Sequence, residues 1–438
     1  MNTITQVERG GLFEISEATL AELKSSKYYN DDLAPTSISE RSWTTYSITM
    51  LWVGMSICIP SLSLASGLIA MGVSPWLSVL NVALGNVIIL VPIQLNSQIG
   101  TKYGIPFPLF ARLTFGTLGA QIPALLRAIT ACGWTSVQAW VGGGAVGAMI
   151  GAFVPKFADR GWTIGLPSWG GIQESGGGQF FGYVIFMLFI AWVAYNGIDQ
   201  IKWVQNIGSP ILIVVMIGLL AWAYSITPDG TGFFEVMSQP SDDALIEASG
   251  GFAFVYLSGL MGNIAFWATM ALNIPDFSRY QKDQFRGQLY GMPLPMAACA
   301  FIGAYFSQAT KMAYGEAMFD PTGVFYHLDN KIMIFIAAVG VVAATITTCV
   351  AANVVAPANG FSNLAPKKIS YKKGVIITII IAFFILQAWW IYGSGAAYFT
   401  WMNAYGTILA PIAAIFIADY FIVKHKRADI ASLFKGAE

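Results

Sequence analysis

Charge is scarce in this chain. Asp, Glu, Lys and Arg make up 11% of its 438 residues and apolar residues 56%, whereas an average soluble protein is roughly 25% charged. So few charges cannot cover a water-facing surface of this size, which excludes a soluble enzyme of two or three domains and leaves lipid as the solvent. Histidine is nearly missing: His327 and His425 lie far apart, which removes zinc-type ligand spacing. The 4 cysteines, Cys58, Cys132, Cys299 and Cys349, all fall in apolar stretches, where a thiol behaves as a small hydrophobe and a disulfide framework is not expected. Acids and bases balance at 23 each, so net charge supplies no pull toward nucleic acid. The first 40 residues are polar and carry no apolar core with a cleavage site, so no secretory leader is expected. Without a metal cluster, a Ser/His/Asp set or paired membrane carboxylates, the pattern does not point to an enzyme, and no cofactor is expected.

Long hydrophobic runs are what the chain has instead. A bilayer-spanning helix needs about 20 mostly apolar residues. Runs of that kind lie near 43–71, 76–99, 121–151, 178–195, 203–227, 249–272, 290–309, 331–356, 374–396 and 400–423, predicting an all-α integral membrane protein of about ten helices. Breaks occur at Gly72 to Pro75, Pro106 to Pro108, Gly170 to Gly178 and Pro366 to Lys368. With a cytoplasmic N-terminus, the inner segments hold Arg9, Lys24, Lys27, Arg41, Lys102, Arg112, Lys202, Arg279, Lys282, Arg286, Lys367, Lys368, Lys372, Lys373, Lys424, Lys426, Arg427 and Lys435. The outer loops hold only Lys156, Arg160, Lys311 and Lys331, and the acidic loop 228–248 also lies outside. Lys and Arg favour the cytoplasmic side, so both termini are expected there, in a cell membrane crossed many times.

The expected organisation is a cytoplasmic tail (1–41), a membrane transport domain (42–423) and a second cytoplasmic tail (424–438). An odd number of helices per half inverts the second half, so ten helices accommodate two repeats, 43–227 and 249–423. Inverted repeats are a common transporter plan, with the site at the midplane between interrupted helices. The first segment carries Gly54, Pro60 and Gly67 and the sixth carries Gly259 and Gly262. These matching positions predict that both are broken.

Polar side chains inside such segments cost free energy unless paired or functional. In the third segment Trp134 and Gln138 are four apart and share a helical face, suited to stacking a flat ring and hydrogen-bonding its edge. Equally, they could be a buried indole with an amide joining two helices. In the eighth, Ala344, Thr347 and Thr348 share one face, with oxygens of the kind a hard cation requires, and Asn353 lies on another. Threonines also bond back to their own helix, and that reading stays open. Trp267 and Phe266 sit well inside the sixth segment, away from the interface where tryptophan usually anchors.

Several segments resemble the nucleobase:cation symporter-1 family, the permeases of hydantoins, allantoin, uracil and cytosine, and the allantoin permease branch in particular. They include Glu40 to Ser42, Gly100 to Pro108, Ile122 to Ala128, Trp267 to Thr269, Asn273 to Tyr280, Ala351 to Asn353 and Ala418 to Phe421. The resemblance implies a leucine-transporter-type five-plus-five inverted repeat with broken helices 1 and 6. It implies substrate binding by Trp134, Gln138, Trp267 and Asn353. It also implies a sodium site formed by Gly54, Ile57, Ala344, Thr347 and Thr348.

The sequence departs from the family pattern in three places. Cys58 stands where relatives carry Gln or Asn near the substrate. Phe266 replaces a Gly of the hydantoin transporter and narrows or reshapes the pocket. Relatives carry two further helices beyond Asp419-Tyr420, so the chain is either a natural ten-helix version or a truncated one. The expected function is cation symport of a small planar nucleobase or cyclic ureide, with sodium as coupling ion and the proton as alternative. A channel-like protein and a non-transporting solute sensor are the competing classes. The expected partners are the small solute and the bilayer, with no nucleic acid and no obligate protein.

Overall fold

A computed structural model describes residues 6–435 except 30, 160, 169–170, 197 and 366–367; the side chains of 32, 198–210, 212, 347 and 351 fall outside that description. Of the residues used for the topology, Arg160 and Lys367 and the side chain of Lys202 therefore lie outside it, as do Gly170 and Pro366 among the breaks.

The expected spans are present as helices. Among the described residues, five are long and apolar enough to cross a membrane alone: Pro75–Tyr103, Gly177–Tyr195, Phe252–Asn273, Phe285–Tyr314 and Gly395–Val423. Two more are bent pairs, Thr45–Ser56 with Ile59–Ala70 at 51° and Phe107–Gly119 with Gln121–Gly151 at 118°. Ile198–Ser225, Lys331–Thr348 and Tyr371–Phe384 complete the ten expected segments, which are numbered here as spans in chain order. The second span shows why the bundle needs lipid. Leu80, Leu84, Val87 and Val91 are exposed along one helical stripe, while Asn81, Gly85, Asn86, Asn96 and Ser97 are buried on the other. A water-soluble helix has the opposite arrangement.

The first span is interrupted at Ile57-Cys58, where the backbone is extended (Cys58 φ −148°, ψ 161°). There the Cys58 N–H turns to the Ser56 carbonyl at 3.1 Å rather than to Gly54, one helical turn back. The Gly54 carbonyl is thereby released from the usual ladder. The sixth span is interrupted at Trp267 (φ −101°, ψ 8°), between Phe252–Phe266 and Ala268–Asn273. Gly259 and Gly262, expected to mark that break, lie inside the intact helix above it. A Cβ on Gly259 would meet Leu68 at 2.5 Å and one on Gly262 would meet Phe399 at 2.4 Å, so these glycines admit neighbouring helices and do not unwind their own.

Other boundaries also differ from expectation. The ninth span stops at Phe384, and a turn with Gln387 in the left-handed region leads through Ala388–Ile391 to the tenth, which begins at Gly395. Two antiparallel hairpins stand outside the apolar segments: β1 (Gln6–Arg9) with β2 (Leu12–Ile15), and β3 (Thr163–Ser168) with β4 (Gly171–Gly176). Their alternating, partly polar residues gave no hydropathy signal. The N-terminal segment, expected as a tail, is anchored by Arg41. This side chain is 1% exposed and donates to the carbonyls of Phe13 at 2.5 Å, Thr101 at 2.8 Å and Thr36 at 3.0 Å. Burial lowers its guanidinium to about 10, so it remains charged at neutral pH. Gly104, φ 67°, ends the second span against that guanidinium, leaving no room for a side chain.

Candidate functional site

The two interruptions face each other across the third and eighth spans. In the third, the four-residue spacing puts Trp134 and Gln138 on the same side, 4% and 3% exposed. In the eighth, the α-helix widens after Thr348 into a π-helical turn, Cys349–Val354, which contains Asn353. Such wide turns are frequent at functional sites because they redirect side chains. Thr135 ties the two spans together, its hydroxyl 2.8 Å from the Asn353 carbonyl oxygen.

Trp134, Gln138, Phe266, Trp267, Asn353 and Cys58 line one cavity, together with Met55, Thr269, Met270, Thr348 and Ala352. The substrate-side residues named from sequence thus come together. Its volume is about 30 Å³, enough for about two water molecules and too small for a ring. Phe266 takes up part of the space, its ring in edge-to-face contact with both indoles, 4.9 Å from Trp134 at 79° and 5.0 Å from Trp267 at 86°. The Gln138 Oε1 is buried with no hydrogen-bond partner, a cost in a closed protein and an acceptor available to a ligand. The Cys58 thiol lies 3.2 Å from the Ser61 hydroxyl, so the shorter side chain is satisfied by its own helix.

Beside this cavity the oxygens expected to hold a cation converge in part. The Thr348 hydroxyl lies 3.4 Å from the released Gly54 carbonyl and 3.3 Å from that of Ala344. Neutral oxygens from two spans suit a hard monovalent cation. Ile57 sits at the break itself, and the Thr347 side chain lies outside the described residues.

Two participants carried no weight in the sequence reading. Trp52 is fully buried and packs 5.2 Å from Trp267 at 74°. Asn86, in the second span, accepts the Trp267 indole N–H at 2.9 Å. An amide within the apolar run 76–99 is the signal that could have found it, because a buried amide needs a partner.

Paired breaks at one cavity, lined also by the third and eighth spans, define a multi-pass membrane transporter of the leucine-transporter type. The backbone agrees with solved transporters. A nucleobase-cation-symport-1 family transporter, closed with bromovinylhydantoin bound, matches at TM-score 0.70 and 23% identity, covering 93% of this chain and 84% of that one. An inward-facing form of Mhp1 matches at TM-score 0.75 and 24% identity, covering 94% and 84%. At these identities the likeness shows the fold. Sequence shows the family: residues 35–437 match the pattern described as permease for cytosine/purines, uracil, thiamine, allantoin, and the chain belongs to that family. It is 35% identical over 409 residues to the purine-uracil permease of Arabidopsis thaliana, covering 92% of this chain and 66% of that one. It is 33% identical over 419 residues to the allantoin permease of Bacillus subtilis, covering 94% and 82%. The chain thus spans just under two thirds of the plant permease's length.

Proposed function

We propose that this chain is a secondary active transporter that imports a small planar nucleobase or cyclic ureide by cation symport, with sodium as the coupling ion. The observation that carries the reading is the convergence of Trp134, Gln138, Trp267 and Asn353 from three spans on one cavity at both helix breaks. Trp134 and Trp267 offer faces for a flat ring, and Gln138 and Asn353 offer donors and acceptors for its N–H and C=O edges. Ring entry requires Phe266 to swing away from the indoles it touches. Ring, indoles and amides then close over one another, which excludes water and strengthens each hydrogen bond.

Gly54, Ile57, Ala344, Thr347 and Thr348 would hold sodium, which supplies charge that draws the first and eighth spans together. No carboxylate lies among these residues, so a proton has no carrier there. The domain reading follows: residues 42–423 form the transport domain, with repeats 43–227 and 249–423. Packing supports termini on one side of the membrane. Gln6 donates to the Ala428 carbonyl at 3.1 Å and Ser26 to that of Phe434 at 2.6 Å. The pairing of Lys311, in the last turn of the seventh span, with Asp242 of the 228–248 loop at 2.9 Å joins two segments assigned to the opposite, outer side.

The test is a thermal-shift panel of hydantoins, allantoin, uracil, cytosine, uric acid and thiamine on purified protein, in sodium and in choline at fixed pH. A substrate at a hundredfold excess over its Kd stabilises by about 2.7 kcal/mol, more strongly in sodium. Equal responses in both salts, with uptake that tracks a pH gradient, would remove sodium from the mechanism. No response to any planar ring would remove the substrate class.

A further inference from the structure

The second span runs along the whole interrupted sixth span as a ladder of buried amides and hydroxyls. Asn81 Nδ2 donates to the Tyr256 carbonyl at 2.8 Å, and Asn263 Nδ2 donates to Asn81 Oδ1 at 2.8 Å. Lower down, Asn96 Nδ2 donates to the Ala271 carbonyl at 2.7 Å, and the Ser278 hydroxyl donates to the Ser97 carbonyl at 2.7 Å. Between these rungs Asn86 reaches the side chain of Trp267, its Oδ1 accepting the indole N–H at 2.9 Å. The two helices come close enough because residue 85 is glycine: a Cβ there would lie 2.7 Å from that of Asn263.

The Asn86 amide has no freedom to turn. Its Nδ2 donates to the Val82 carbonyl at 2.8 Å, one turn back on its own helix. Oxygen is therefore the end that faces the indole, the side chain is fully buried, and both ends of the amide are satisfied. Trp267 occupies the residue where the sixth span loses its helical ladder, so its own backbone holds it less firmly than a helix interior would.

We propose that Asn86 is a positioning residue of the transport site. It fixes the plane of the Trp267 ring and occupies the indole N–H, so that Trp267 presents only its face to substrate and edge recognition is left to Gln138 and Asn353. The proposal rests on the reading of the cavity as the substrate site. Because a ring face does not distinguish one edge pattern from another, losing Asn86 lowers affinity for every planar solute together. Losing Gln138 or Asn353 reorders the solutes.

The experiment has two arms on the full chain in lipid nanodiscs. In the first, tryptophan is labelled with ¹⁵N on the indole nitrogen, and the Trp267 resonance is assigned by its loss in Trp267→Phe. That proton is expected to exchange slowly in the native chain, and its signal to move and exchange faster in Asn86→Leu but not in Asn86→Asp, which keeps an acceptor oxygen. In the second arm, Kd is measured for allantoin, hydantoin and uracil in Asn86→Leu, Trp267→Phe and the double variant. Asn86→Leu is expected to weaken those that bind by about tenfold, without changing their order. The double variant is expected to be no weaker than Trp267→Phe alone, since residues acting through one contact are not additive. If Asn86→Leu does not fold, Asn86→Ala takes its place in both arms.

Full additivity of the two substitutions, or an unmoved Trp267 signal in the acceptor-less variant, overturns the proposal and leaves the site reading intact. Normal binding by a folded Trp267→Ala variant, which removes the ring face itself, overturns the site reading and the proposal with it.

Discussion

Phe266→Ala tests the closed cavity most directly. In the native chain this ring touches both indoles at about 5 Å in edge-to-face geometry, and each such contact is worth about 0.5–1.5 kcal/mol beyond its buried area. A solute ring that enters between the indoles must break both, at a cost of about 1–3 kcal/mol. Truncation removes that cost in advance, and at 1.4 kcal/mol per factor of ten the affinity gain is about 5- to 150-fold. The gain should be larger for hydantoins with bulky substituents than for hydantoin itself, because the vacated volume adjoins the ring site. The same change removes a side chain only 6% exposed and should cost about 3–5 kcal/mol of folding stability. The signature is thus an unliganded protein that melts earlier and a liganded one that is stabilised more. Calorimetric Kd values for a series of substituted hydantoins, beside thermal melts, measure both. A folded Phe266→Ala protein whose affinities are unchanged or uniformly lower would refute the idea that this ring competes with substrate.

Three further outcomes are expected. Trp134→Ala should weaken binding of planar solutes about tenfold or more, since stacking on an aromatic ring is worth roughly 1–3 kcal/mol in other ring-binding proteins; a folded variant with normal Kd values would remove Trp134 from the site. Gln138→Leu and Asn353→Leu should each discriminate between ring analogues that lack one N–H or one C=O, because an unpaired buried group costs about 1–3 kcal/mol. A uniform loss across analogues would instead indicate a structural role. Thr348→Val keeps the side chain's shape but deletes the oxygen that lies near Gly54 and Ala344. It should abolish the difference in substrate affinity between sodium and choline before it abolishes binding; a persisting sodium effect would place the cation elsewhere.

Much of the fold is set by short-range properties. Bilayer thickness fixes the length of an apolar helix, so about ten apolar segments could be located from hydropathy alone, and helical periodicity put Trp134 with Gln138, and Ala344 with Thr348, on shared faces. The matching glycines and proline of the first and sixth segments also pointed to a break in the first span, which falls at Ile57-Cys58, just before Pro60. The rest depended on which helix lies against which. Gly259 and Gly262 had the composition of a break but are contact points for Leu68 and Phe399, while the interruption falls on Trp267. Hydropathy could not show the ninth span ending at Phe384 or the two hairpins, since neither depends on an apolar run. It could not show that Phe266 packs edge-to-face against two indoles from different spans. Nor could it join Asn86 to Trp267 across 181 residues of chain. A helix records its own period in its sequence, but the partner of a buried amide is decided only when two helices meet.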